Sequence, residues 1–540
     1  MITHIDDRRD TPVARIPAPE ATVAAELRRR ARERGDAPFL TMLDEGVTYA
    51  EADERSDRMA EALSGAGVRA GDLVAIFMFN SLELVLATFA LAKLGAASVP
   101  INTDYKGELL RYVLQDSQAR VAIVDDELFD RVVDVLGESP ALERLIVRTE
   151  AAETPTAPIP VDRLADLRGA GPVETPHRRA SDLYMVLYTS GTTGPSKGVM
   201  ISNGHCLAFA TDWVTVMEFT SEDVLYGPLP LFHGIAYMLG VLAVMRAGGH
   251  MHLRRRFSAS RFWDDVRATR ATVAHVVFSI VPILLSAPAS DRDRDHSVRA
   301  VYIGPSKLSN TFEERFGAKV VEVYGQSETG IVTWGTIGRL PSGSCGKVNG
   351  ERFEVRLVDE HDRDVPTGEV GEIVVRPRRP DTMMLGYLNK PDETARTWRN
   401  LWHHSGDRGF ADADGWVYFA DRAKDCIRRR GENISSYEIE LIAGAHPGVE
   451  ECAAIPVPSA LEEEEVKICV VRTPGSTLTA EELHAYCVAN MPRFMVPRYI
   501  EFADAFPKTP SQKVEKYKLR QAGRDGLTDA TWDAEGSHTR

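Results

Sequence analysis

The apolar positions of this chain fall into short bursts that alternate between two periods. Residues 73–79 form an apolar run that reads as a strand. Asn80 or Ser81 can then cap a helix in which Leu82, Val85, Leu86 and Phe89 stand at i, i+3, i+4 and i+7. Gly95 ends that helix, and residues 97–101 are strand-like again. Ahead of the pair, residues 50–64 carry a helical pattern stopped by Gly65 and Gly67; behind it come a helix over 106–116 and a strand over 120–124. Repeated strand–helix–strand units predict a parallel sheet covered by helices. Residues 151–160, rich in Ala, Pro and Thr, read as a surface connection. A second α/β run then extends from an apolar strand over 183–187 to about Val323.

Between Val348 and Ala420 the pattern shortens to alternating strands over 354–358, 371–375 and 416–419, separated by Asp- and Gly-bearing turns. That predicts a small antiparallel unit. The stretch after Asp421 reads as a separate α+β domain of about a hundred residues. Residues 1–20 and 521–540 are polar and are expected to be loosely ordered or frayed. The expected division is therefore 1–421, 422–520 and a flexible tail over 521–540.

Composition adds limits. A chain of 540 residues is too long for one ordinary core, and 44% apolar with 26% charged residues is a globular make-up. The net charge of −15 argues against non-specific nucleic-acid binding, and any anionic ligand needs a local basic site. The six cysteines (206, 345, 426, 452, 469 and 487) form neither a Cys-x-x-Cys pair nor a metal-ligand spacing, so reduced thiols are expected. Residues 1–15 hold no apolar leader, and the longest apolar stretches are broken by Lys93 and Arg246. No membrane span and a cytoplasmic location are expected.

One loop carries distinctive chemistry: Tyr188-Thr189-Ser190-Gly191-Thr192-Thr193-Gly194-Pro195-Ser196-Lys197-Gly198. Its glycines let the backbone N–H groups approach an anion, its hydroxyls add donors, and Lys197 adds a point charge. It is suited to phosphate oxygens. It is not the P-loop of nucleotide triphosphatases, in which a Ser or Thr follows the lysine and ligates magnesium; here Ser196 precedes Lys197 and Gly198 follows it. Further along stand Leu231-Phe232-His233-Gly234, Val323-Tyr324-Gly325-Gln326-Ser327-Glu328, Ser405-Gly406-Asp407 and Asp421-Arg422-Ala423-Lys424-Asp425. Arg428-Arg429-Arg430-Gly431 and Pro507-Lys508-Thr509-Pro510-Ser511-Gln512-Lys513 complete the series.

In this order, over about residues 47–519, these motifs resemble the adenylate-forming superfamily of acyl-CoA synthetases, luciferases and peptide-synthetase adenylation domains. Residues 100–103 with 105–108, 430–435 and 496–501 look most like its crotonobetaine/carnitine-CoA ligase-like subgroup. The resemblance implies an α/β fold with two βαβ-type subdomains and a small distorted β-barrel in a large N-terminal domain. A small, mobile α+β C-terminal domain follows. It also implies ATP, Mg2+ and CoA. Thr189, Ser190, Gly191, Thr192, Thr193, Gly194 and Lys197 would clamp the β- and γ-phosphates. Gly304, Pro305, Ser306, Glu322, Val323, Tyr324 and Gly325 would complete the nucleotide site, with Tyr324 against the adenine. Ser327, standing where the family has threonine, would reach the α-phosphate, and Glu328 would hold the metal. Asp407 would accept both ribose hydroxyls and Arg422 would meet ribose or phosphate. Lys424 would be the hinge and Lys513 the catalytic lysine, although Gln512 replaces the family's usual glycine. Arg430 would meet CoA phosphates and Gly431 would line the pantetheine tunnel. Arg428 and Arg429 are open between that role and a solvated charge run. His233 would sit beside the acyl group or gate the thiol path, and Phe278, Ser279, Ile303, Gly304, Gln326 and Ile331 would line the acid pocket. Lys307 is open between a substrate anion and solvent.

The leading expectation is therefore an AMP-forming acid–thiol ligase. A second reading keeps the adenylation site but passes the product to a carrier-protein thiol or an amine, or activates nitrite for diazotisation of an aryl amine. A third is a non-catalytic nucleotide-binding protein, against which the set Lys197, Glu328, Asp407, Arg422 and Lys513 argues. The acid and the oligomeric state, a homodimer among the options, are left open.

Overall fold

The structure is a computed structural model that describes residues 21–169, 177–189, 195–277, 280–303, 308–341, 343–422, 426–459, 463–507 and 514–536. They divide into two compact units. The larger takes in the described residues up to 103, then 113–188 and 198–422; the smaller takes in 104–112, 189, 195–197 and the described residues from 426 onward.

The larger unit is built on two largely parallel sheets and one antiparallel sheet. The first has eight strands in the order Gly386–Tyr387, Lys197–Ser202, Leu183–Thr189, Ala97–Pro100, Leu73–Phe77, Val121–Asp125, Arg144–Arg148 and Val161–Arg163. From Leu183–Thr189 to Val161–Arg163 all neighbours run parallel. The second has seven strands, Lys319–Val321, Ala300–Tyr302, Val273–His275, Val224–Gly227, His250–Leu253, Pro38–Met42 and Glu45–Thr48, with only the last pair antiparallel. The helix Leu82–Leu94 is apolar on almost every face because it lies within one core shared by both sheets, rather than on a surface. Ser81 accepts the N–H of Leu84 as its cap, and Gly95, at φ +75°, closes it in the left-handed region. Its one cation, Lys93, is buried and meets Asp53 at 2.6 Å and Asp57 at 2.8 Å. The expected helix over 50–64 is Tyr49–Gly65, started by a capping box between Thr48 and Glu51.

The antiparallel unit is an eight-stranded sheet. Its order is Val323–Gln326, Gly330–Trp334, Ser344–Val348, Val417–Arg422, Trp402–Ala411, Gly371–Pro377 and Phe353–Val358, with Trp398–Arg399 beside Trp402–Ala411. It carries its own core around Tyr324, Phe353, Ile373 and Val417.

In the smaller unit, strands Val449–Pro458, Glu464–Arg472, Tyr499–Ala503 and Trp532–Asp533 form a sheet covered by helices Ser436–Gly444 and Ala480–Asn490. The polar tail departs from the frayed end expected of it. Trp532 and Asp533 pair with Ile500 and Tyr499, and Trp532 packs on the core. Asp533 meets Arg498 at 3.0 Å, and the buried Lys467 donates to the Gly526 carbonyl while pairing with Glu501. The tail's polarity reads as frayed in sequence because its partners lie up to 64 residues away. Among the described residues no helix is long and apolar enough to cross a membrane.

Candidate active site

The strands Leu183–Thr189 and Lys197–Ser202 bracket the glycine- and hydroxyl-rich loop, whose Ser190, Gly191, Thr192, Thr193 and Gly194 lie outside the described residues. Thr189 and Lys197 are both half-buried. Tyr188, just before the loop, donates its hydroxyl to Asp116 Oδ2 at 2.8 Å. In the smaller unit the Ser196 N–H donates to Glu438 Oε1 at 3.1 Å, and the Ser196 hydroxyl donates to the same oxygen. Burial pushes the Glu438 carboxyl above the usual carboxylate range, and the two bonds from Ser196 oppose that shift. Nothing in the sequence motifs singled out Glu438.

The motif around Tyr324 forms a tight antiparallel turn. Tyr324, Gly325 and Gln326 pair with Thr333, Ile331 and Gly330, and the register shifts between Tyr324 and Gly325. Gly325 is required here, since a Cβ at that position would lie 2.2 Å from the Gly330 carbonyl oxygen. Ser327, Glu328 and Thr329 make the turn, closed by the Thr329 N–H to the Gln326 carbonyl at 3.2 Å. Glu328 is oriented from both ends: its carbonyl accepts the Met384 N–H at 2.9 Å, and its Oε1 accepts the Tyr387 hydroxyl at 2.9 Å. Burial, then the Glu328 charge, raises the Tyr387 phenol well above its ordinary value, so it remains a donor. Glu322, one residue before the strand, is buried and accepts the Ser309 hydroxyl.

Asp407 stands two strands from the edge of its sheet and is only 2% exposed. Its Oδ2 accepts the Tyr324 hydroxyl at 3.0 Å and the Gln326 side-chain amide at 2.7 Å. Gly406, at φ +71°, makes the bend that turns Asp407 inward, and its N–H donates to Glu372 at 3.1 Å. The structure thus gathers Tyr324, Gln326 and Asp407, which are up to 83 residues apart in sequence. Arg422 takes the cross-strand position opposite Asp407. Lys424 and Lys513, with Gln512, lie outside the described residues.

Arg430 and Gly431 form a two-residue turn between the strands Cys426–Arg429 and Glu432–Ser435, with φ +54° and +82°. Both turn N–H groups donate to Glu463, at 2.6 and 3.0 Å. Arg430 and Arg428 are exposed. Arg429 fits neither of the two readings open to it. It is buried, paired with Glu465 at 2.6 Å, and donates to the Val496 carbonyl at 2.6 Å, so it braces the smaller unit's interior.

Toward the expected acid pocket, His233 is half-buried behind a segment pinned by Asn80, which accepts the Leu231 N–H at 2.7 Å and donates to the Leu229 carbonyl at 2.8 Å. Ile303 and Ile331 are fully or nearly fully buried in the same core. Phe278, Ser279, Gly304, Pro305, Ser306 and Lys307 lie outside the described residues. The helix Asn203–Val216 adds His205, which sequence reasoning passed over. It is wholly buried beside Phe209, whose ring lies 2.9 Å from where a Cβ on Gly330 would stand. Burial, then the nearby Arg352, pulls the His205 imidazole down to about 3. Arg352 itself is held by Asp212 at 2.6 Å.

Among the described residues no group of three His, Cys, Asp or Glu side chains could cage a metal. A single tyrosine-oriented carboxylate, Glu328, suits magnesium. That ion keeps several waters and takes one or two protein carboxylates beside substrate phosphates.

The family profile of the AMP-binding enzymes matches residues 27–388, and that of the AMP-binding enzyme C-terminal domain matches residues 438–513. The chain is 33% identical over 491 residues to the crotonobetaine/carnitine–CoA ligase of Citrobacter koseri, covering 88% of this chain and 93% of that protein. Among solved structures, a double mutant of o-succinylbenzoate CoA synthetase from Bacillus subtilis, bound with a product analogue, superposes with a TM-score of 0.79 at 25% identity, covering 92% of this chain and 98% of that one. ATP-bound MatB from Rhodopseudomonas palustris superposes with a TM-score of 0.66 at 27% identity, covering 93% and 99%.

Proposed function

The chain belongs to the AMP-binding enzyme family, and from that premise we propose that it is an AMP-forming acyl-CoA synthetase acting on a small carboxylic acid. In the first step a carboxylate oxygen bonds to the α-phosphorus of ATP and the bond to pyrophosphate breaks. In the second the CoA thiolate bonds to the acyl carbon, the acyl–phosphate bond breaks, and AMP leaves. The observation that carries this reading is the buried Asp407 carboxylate held by Tyr324 and Gln326 on the strand that turns into Glu328. Both steps bring an anion to a phosphorylated partner, so rate comes mainly from positioning and from placed positive charge.

On this reading Tyr324 faces the adenine, with Glu322, Val323 and Gly325 beside it and Gly304–Ser306 completing the wall. Asp407 and Arg422 take the ribose, and Ser327 reaches the α-phosphate. Thr189, Ser190–Gly194 and Lys197 hold the departing pyrophosphate. Glu328 would hold Mg2+, which supplies charge neutralisation among phosphate oxygens. Lys513 serves adenylation, Lys424 is the hinge of a mobile domain beginning near residue 422, and Arg430 and Gly431 serve CoA. His233, Phe278, Ser279, Ile303, Gly304, Gln326 and Ile331 contact the acid. The identity with crotonobetaine/carnitine–CoA ligases supports a short acid and puts betaine-type acids first among candidates.

The test is a pyrophosphate-release screen over aliphatic, aryl and betaine acids and inorganic oxyanions, with and without CoA, followed by nucleotide analysis. We expect AMP with a CoA thioester. ADP as product, or a conjugate formed with an amine acceptor and none with CoA, would sink the proposal.

A further inference from the structure

The strand Trp402–Ala411 carries two histidines in succession, and strand alternation gives them opposite surroundings. His404 meets Arg399 at 2.8 Å and Glu372 at 3.0 Å. His403 is 1% exposed and stands edge-on to Trp398, ring centroids 5.6 Å apart. Burial, reinforced by His404, pulls its imidazole down to about 3, so it is neutral and carries one N–H.

Where that proton sits follows from its neighbours. Among the described residues Nδ1 has no hydrogen-bond partner, and Nε2 lies 3.4 Å from Gln326 Oε1. A proton on Nδ1 would bury an unsatisfied donor and set two lone pairs against each other at Nε2; the proton therefore belongs on Nε2. The Gln326 amide is constrained in turn. Its NH2 donates to the Ser405 carbonyl at 2.9 Å and to Asp407 Oδ2 at 2.7 Å. Turned over, it would place its own oxygen against a carbonyl and a carboxylate.

We propose that His403 is a positioning residue of the nucleotide site, its Nε2–H holding the Gln326 amide in the one rotation that donates to Asp407. The proposal rests on the reading that Asp407 binds the ribose. Without the imidazole N–H, Gln326 Oε1 loses its partner, the amide can turn, and Asp407 loses one of its fixed donors. A second consequence follows from Gln326 itself. If it also faces the acid, one side chain links the acid pocket to the ribose carboxylate.

A double-mutant cycle in ATP–pyrophosphate exchange on the full chain tests this. We expect His403→Leu to raise the KM for ATP about fivefold, roughly the worth of one net hydrogen bond, with kcat at saturating ATP within about twofold. In a Gln326→Leu background the same substitution should change the ATP KM by less than about twofold, because the group it acts through is gone. His403→Gln, whose side-chain amide can bring an N–H to the place of the imidazole Nε2, should recover part of the loss. His403→Phe, which keeps a ring and lacks the N–H, carries the cycle if His403→Leu does not fold. An unchanged ATP KM in folded His403→Leu, an equal effect in both backgrounds, or a loss confined to kcat overturns the proposal. Asp407→Ala is measured alongside: if it leaves the ATP KM unchanged, the ribose reading of Asp407 fails on its own account, whatever His403 does.

Discussion

Gly325 shows how tightly a single residue can be specified. Its φ is not in the left-handed region, so the demand is purely one of space: a Cβ would meet the Gly330 carbonyl oxygen at 2.2 Å and its carbon at 3.0 Å, both backbone atoms that cannot rotate away. Gly325→Ala must therefore open the register between Val323–Gln326 and Gly330–Trp334, at about 1–3 kcal/mol, and displace Gln326 and Glu328 together. We expect a lowered melting temperature and at least about a hundredfold loss of ATP–pyrophosphate exchange, since a misplacement near 1 Å is worth that much. Near-normal exchange would show that the turn geometry is not what positions these groups. Residues of this kind were legible in the sequence because their spacing within motifs is fixed. His403 and Arg429 were not. Each stands in a run of like residues, His403-His404 and Arg428-Arg429-Arg430, and only the strand's partners decide which member is buried.

At the scale of elements, the turn Arg430–Gly431 joins strain to expected function. Gly431 adopts φ +82° freely, whereas Arg430 at φ +54° bears roughly 1 kcal/mol of left-handed strain. Asparagine tolerates that region better, so Arg430→Asn should stabilise the hairpin by about 0.5–1 kcal/mol. If the guanidinium meets CoA phosphates, the same change raises the CoA KM several-fold while ATP–pyrophosphate exchange holds. A thermal-shift measurement paired with CoA kinetics reads both; a stabilised variant with an unaltered CoA KM removes Arg430 from CoA binding. Retained strain at a site of use is the pattern expected where function outweighs stability. Most elements were legible from periodicity, down to the Ser81 cap and the Gly95 stop of Leu82–Leu94. The strand Trp532–Asp533 was not, because two residues carry no period and its pairing partners, Tyr499 and Ile500, lie 32 or more positions earlier.

Over the whole molecule, the two parallel sheets share one core, and several histidines are locked inside it or the adjoining antiparallel sheet. His205, His275 and His403 are all fully or nearly fully buried and pulled down to about 3 by loss of solvent. His252, pulled to about 4, and His250 shift the same way. The sign follows from which state binds the proton. Unfolded histidine protonates near pH 6.5 while the folded residue stays neutral, so the unfolded state gains protons first and stability falls as pH drops from about 6.5 toward 3. At pH 5.5 each fully buried histidine withdraws about 1.4 kcal/mol, or about 4 kcal/mol for the three. The net charge of −15 acts oppositely, since acidification relieves its self-repulsion. A steep net loss of stability on mild acidification would therefore come from the interior. His275 is the residue with which to separate the two, because it lies outside the proposed machinery and its Nε2 accepts the Trp213 indole N–H at 3.3 Å, a role glutamine can fill. We expect urea unfolding of His275→Gln between pH 7.5 and 5.5 to lose about 1.4 kcal/mol less than the parent chain. An identical pH slope in the two proteins would mean that His275 already titrates in the folded state, and that the buried-histidine account of acid sensitivity is wrong.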